Sequence, residues 1–204
     1  MSKVETLRWD DHRYYHQSRV NQTLHLISAL SFLVAYAMLF VEPAVAGLIG
    51  WLVGMVTRQS GHLFFEPRGY DRINAASDDY KESIKVGYNM RRKAILIAIC
   101  VAVPLLLLAS PSLCGLITPS TGFNGYIHDL GLLWLALGVG GVLFRTVHLY
   151  FLRGPAWSLA WAMKIVTDPI HNVQIYWRSP WALLHGEWLD PIDAHDHDPE
   201  HSTT

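Results

Sequence analysis

Charge is what this sequence has least of. Asp, Glu, Lys and Arg make up 16% of the chain, where a soluble domain carries about 25%, and 51% of the residues are hydrophobic. The shortage points to a membrane bilayer as the surroundings. The charges that remain nearly cancel, to −1 at pH 7, so there is no basic footprint for a nucleic acid. Cysteine is scarce as well. Cys100 and Cys114 fall in one apolar segment, read as inert core residues that say nothing of the redox compartment. No Cys-x-x-Cys-His occurs, which excludes covalently attached haem. No paired His-x-x-His-His occurs either, which counts against a di-iron lipid hydroxylase or desaturase. Residues 1–19 lack the apolar stretch of a signal peptide, and none is expected there. There is no internal repeat.

What is abundant is apolar sequence in long runs. Four spans are expected, at about 24–41, 44–66, 94–118 and 129–152, each long enough to cross the hydrocarbon. Pro43 suits the start of the second, whose Gly47, Gly50 and Gly54 allow close packing on a neighbour. Ser77-Asp78-Asp79 reads as a helix start inside the polar connection 67–93. All sixteen Lys and Arg lie in the N-terminal arm, in that connection with Arg58, or from Arg145 onward. Neither the turn at Glu42-Pro43 nor the one at 119–128 carries any. By the distribution of positive charge, that side and both termini are cytoplasmic. The expected fold is therefore an all-α, multi-pass membrane protein with four transmembrane helices, set in a bacterial inner membrane with its active face cytoplasmic. Interfacial amphipathic helices are expected at both ends: the arm with Trp9, Tyr14 and Tyr15 at headgroup level, and the Trp-rich region 153–192. Residues 1–192 form one domain, and 193–204 read as a disordered acidic, His-containing tail.

Histidine is the other abundance, eleven in 204 residues. Three belong to the tail, where Asp193 to Asp198 could hold a metal weakly or form a solvated end. Of the other eight only His128 falls on the far side of the expected membrane. His25, His62 and His148 end three different spans at one level, where a bundle brings side chains together. Arg58, His62 and Glu66 are spaced four apart, one stripe of a helix. Two histidines and a carboxylate are the ligand set of non-haem Fe(II) oxygenases, and zinc accepts similar ligands. Each candidate has a plainer alternative. A single histidine can be an interfacial side chain. Glu66 can ligate or act in catalysis, or pair with an arginine. Asn21 can orient a ligand or substrate, or cap the first span. Arg58 and Arg145 can bind a lipid carboxylate, or extend to the interface. Asp168-Pro169-Ile170-His171 can supply a further ligand, or form a helix-start turn capped by Asp168.

Two stretches also resemble a known family. One is Tyr15-His16, then Asn21, then His25, leading into an apolar helix. The other is Trp51 in an apolar helix that runs to Gly61-His62-Leu63-Phe64-Phe65-Glu66 and a basic loop. Together they cover roughly residues 12–70. They are similar to the small membrane proteins typified by the yeast 2-hydroxy fatty acid dioxygenase, formerly a domain of unknown function. The chain departs from the family's pattern in placing Gln59 two residues before Gly61, where the family tends to have it three before. The resemblance implies Fe(II), dioxygen and α-oxidation of a 2-hydroxy fatty acid, with His16, His25 and His62 as the functional histidines. Expected partners are a lipid or fatty-acid substrate and the bilayer, with a homo-oligomer or a larger membrane complex as further options. The competing expectations are a di-iron lipid hydroxylase, and a haem-binding or accessory subunit without enzymatic activity.

Overall fold

The computed structural model describes residues 2–86 and 90–191. Among them every regular element is a helix and no strand forms. The tail 193–204, with its three histidines, lies outside the described residues.

Helix α1 (Lys3–Tyr15) starts on a capping box: the Ser2 hydroxyl accepts from Glu5 N–H and the Glu5 carboxylate accepts from Ser2 N–H. Helix α2 (Arg19–Met38) follows after a three-residue turn. Helix α3 (Pro43–Ile49) opens with proline, whose ring suits a first helical turn. It passes without a break through a π-helical segment, Gly50–Met55, into α4 (Val56–Phe64). Ser77 caps α5 (Asp78–Ile84) by accepting from Tyr80 N–H at 3.2 Å. The apolar α6 (Met90–Ala109) and α7 (Gly122–Arg153) come next, then α8 (Pro155–Tyr176) and the short α9 (Ser179–Leu184).

Two of these helices are long and apolar enough to cross a membrane, Arg19–Met38 and Gly122–Arg153. The stretch Lys93–Ala109 is apolar but shorter. The expected all-α class holds, and four spans become two helices that meet the length and composition of a span. Large apolar side chains such as Leu105, Leu108, Phe144 and Phe151 stand exposed on α6 and α7.

Helix α3 packs most closely on α7. A Cβ on Gly47 would strike the Gly131 carbonyl, and one on Gly131 would strike the Ala44 carbonyl, so the two backbones touch where neither has a side chain. Within the π segment, Gly54 lies under the Phe32 ring of α2.

Both end regions are more deeply built in than the sequence suggests. Tyr14 and Tyr15 are buried within the protein instead of facing headgroups, and Tyr15 Oη donates to the Lys81 carbonyl at 2.7 Å. Helix α8 packs lengthwise on α2 and α7, with Trp161, Lys164, Asp168, Asn172 and Tyr176 buried. Its buried face carries charges because Asp11 on α1 and Asp168 on α8 itself pair with Lys164, while Leu159, Met163, Val166 and Ile170 on the other face stay exposed. The segment after α9 ties back to the start of α2: Arg19 N–H donates to the Trp188 carbonyl and Asp190 N–H to the Gln17 carbonyl.

Candidate metal centre

The turn between α1 and α2 carries His16, and two amides of α2 hold it. Asn21 Nδ2 donates to the Tyr15 carbonyl and Gln22 Nε2 to the His16 carbonyl, both at 2.8 Å. One turn further along α2 stands His25. Opposite, the last turn of α4 presents His62. The close approach of these helices depends on Gly61, where a Cβ would collide with Asn21 Oδ1.

His16, His25 and His62 are all buried, and one nitrogen from each lies within 4.8 Å of the others. Among the described residues this is the group of His, Cys, Asp or Glu side chains able to hold a metal ion. The outward nitrogen of each ring is already engaged. His25 Nδ1 donates to the Asn21 carbonyl at 3.0 Å. His62 Nδ1 donates to Glu66 Oε2 at 2.7 Å. His16 Nδ1 lies 2.9 Å from Tyr176 Oη, which is also 3.2 Å from His12 Nδ1. The Tyr176 hydroxyl has one proton. When it donates to His12, its oxygen accepts from His16 Nδ1–H.

With their protons on Nδ1, the three rings keep their Nε2 lone pairs free to ligate. His25 Nε2 and His62 Nε2 are 3.3 Å apart, and His16 Nε2 is buried with no hydrogen-bond partner among the described residues. Two lone pairs at that distance repel unless a proton or cation lies between them. Two nitrogens ligating one metal at 2.0–2.1 Å and a tetrahedral angle stand about 3.3 Å apart. The donor set and the His25–His62 spacing therefore fit a borderline divalent metal. Burial pushes the pKa of His16 well below its ordinary value, with further help from His25 and Arg58. The imidazole is thus neutral and able to ligate at neutral pH.

Glu66 stands behind His62, outside the converging set. Its other oxygen accepts from Lys85 Nζ at 2.9 Å, and Lys93 Nζ is 3.9 Å from Oε2. It pairs with a histidine and two lysines, where the sequence suggested an arginine. Arg58, on the same stripe, turns instead to Asp168 at 3.7 Å.

His148 and His171 are not among the three rings brought together. His148 Nδ1 accepts from Arg145 Nη1 at 2.9 Å, and Arg145 Nη2 donates to the Val86 carbonyl at 2.6 Å. His171 lines a neighbouring cavity with Arg8, Arg58 and Asp168. Asp168 and His171 lie in the middle of α8, so the expected helix-start turn is absent there. Sequence reasoning missed Tyr176, Lys85, Lys93 and Lys164. Tyr176 has no local signal, since it reaches His16 from 160 positions away.

Comparisons of the chain with models of known protein families, with curated proteins and with solved structures find no match.

Proposed function

We propose that this chain is an Fe(II)-dependent membrane dioxygenase that shortens a 2-hydroxy fatty acid, or a related lipid, by one carbon. The observation that carries the reading is the set of three buried imidazoles, each held at Nδ1 by a neighbour, with one nitrogen of each within 4.8 Å of the others. Buried neutral bases converge in this way when a cation is their fourth neighbour. The resemblance of residues 12–70 to the 2-hydroxy fatty acid dioxygenases supports the choice of reaction and of iron. One group of three histidines among the described residues favours a mononuclear centre over a di-iron one.

In this reading His16, His25 and His62 hold the metal, and three protein ligands leave other positions open. Bound Fe(II) supplies a centre where dioxygen and the hydroxy acid are brought together. The carboxylate of Glu66 keeps the His62 proton on Nδ1, and Lys85 and Lys93 balance its charge. Packing of α1, α2, α4 and α8 around the site keeps bulk water out. Dioxygen takes four electrons from the 2-hydroxy acid and leaves the shorter acid, carbon dioxide and water, so no outside reductant is needed. The acyl chain runs along apolar helices. The α3–α4 stretch and α6 join α2 and α7 as spans, and the triad lies at the cytoplasmic level.

A zinc hydrolase is the second reading, favoured by one feature: the converging set contains no carboxylate, as in sites with three histidines on zinc. Metal analysis of protein purified without chelator, followed by anaerobic Fe(II) loading and oxygen-electrode measurements, separates the two. The expected result is one iron per chain, with one O2 consumed per 2-hydroxyhexadecanoate and none with hexadecanoate. Stoichiometric zinc with no oxygen uptake after iron loading would support the hydrolase. Protein that binds neither metal would overturn both.

A further inference from the structure

Beside the triad, between α1, α4 and α8, lies a polar cavity of about 10 Å3, room for one water or one carboxylate oxygen. His16 forms part of its wall. Five charged side chains border it: Arg8, Asp11, Arg58, Lys164 and Asp168. Three cations thus face two carboxylates. Lys164 Nζ takes up both acids, at 2.6 Å from Asp11 and 2.6 Å from Asp168, and Arg8 Nε lies 3.3 Å from Asp168. Among the described residues, Arg58 has the looser contact with Asp168, at 3.7 Å. Asn172 also lines the cavity. It is 5% exposed, and its Nδ2 has no hydrogen-bond partner among the described residues. A buried amide donor without an acceptor is unfavourable, and so is a partly buried surplus of positive charge. Both are relieved by the same thing, one small oxyanion.

We propose that this cavity binds the carboxylate of a long-chain acid, with Arg58 as its ion-pair partner and Asn172 as a hydrogen-bond donor. The surplus is one unit of charge and the space is that of one oxygen, which suits a carboxylate over a phosphate. The site deepens the oxygenase reading and rests on it for its purpose, since it fixes the head of the acid beside His16. Its binding does not depend on the metal.

The test uses the full chain in dodecyl maltoside micelles, once stripped of metal and once loaded with Zn(II). Dodecanoate, dodecanol and dodecyl phosphate are titrated by calorimetry. Dodecanoate is expected to bind at least tenfold more tightly than the other two in both states. Arg58→Gln should abolish that preference while dodecanol binding stays the same. Asn172→Asp supplies the missing anion from the protein itself, so it should also abolish the preference and should raise Tm. It carries the test where Arg58→Gln does not fold. Equal binding of dodecanoate and dodecanol by the wild-type chain, equal binding of dodecyl phosphate, or a preference that survives Asn172→Asp would overturn the proposal. A carboxylate preference in a chain that takes up neither iron nor zinc when they are supplied would leave this site standing and overturn the oxygenase reading. Stoichiometric metal without a carboxylate preference would do the reverse.

Discussion

Two histidines of this protein stand near helix ends with a charged residue one turn away, and they end up as opposite chemical groups. His62 meets a carboxylate: Glu66 accepts its Nδ1 proton at 2.7 Å, so the lone pair is on Nε2 and faces His25 at 3.3 Å. His148 meets a guanidinium: Arg145 donates to its Nδ1 at 2.9 Å, so a neutral ring there carries its proton on Nε2. The first is prepared to bind a cation through Nε2 and the second is not. An imidazole's neighbour thus decides whether it is a ligand, by deciding which nitrogen keeps the proton.

The comparison can be broken or sharpened experimentally. The largest effect is expected from His25→Ala or His62→Ala, which should reduce bound metal from one per chain to the detection limit of elemental analysis. Two remaining imidazoles cannot close the site. Glu66→Gln should keep the fold but weaken metal binding by about 10–100-fold in a competition titration with a chelator, since it removes the anion that holds the His62 tautomer. Tyr176→Phe leaves His16 Nδ1 without its acceptor and should cost about tenfold, the low end of the same range. His148→Ala should leave metal stoichiometry and affinity unchanged. Loss of metal in that variant would show that the two histidines are alike after all.

Stability responds to a different set of groups. Asp168 is 4% exposed at its side chain and faces Lys164, Arg8 and Arg58. Burial alone would raise its pKa, but Lys164 and Arg58 hold it below the ordinary 3.8. Its contribution is therefore present above pH 3.8 and is lost as pH falls through the lower, folded value. Asp168→Asn should cost about 3–5 kcal/mol, because it leaves buried cations uncompensated, and should show as a large drop in Tm at pH 7. In the metal-free protein, burial holds the His16 pKa below the ordinary 6.5. The unfolded chain then takes up a proton that the folded chain does not. Below pH 6.5 this one group should lower stability by about 1.4 kcal/mol per pH unit until its folded value is reached, and His16→Asn should reduce the overall slope by that amount.

Much of the architecture was legible because it follows from short-range rules. The scarcity of charge and the apolar runs announced an all-helical chain, two of whose helices have the length and composition of a membrane span. Pro43 and Ser77 marked helix starts that the structure bears out. Histidine spacing made His25 and His62 candidates, and resemblance added His16. What sequence alone overstated was the number of helices that are both long and apolar enough to span. It also gave no sign that Lys164 and Asp168 of α8 are buried, since a charge reads as solvent-seeking until its partner is known. Lys164 finds Asp11 from another helix, and no local pattern foretells that pair. The order of apolar and polar residues along the chain was enough to specify helices and candidate bases. Only the packing of α1, α2, α4 and α8 decided which nitrogens converge, because a histidine's proton goes to whichever side a distant neighbour can accept it.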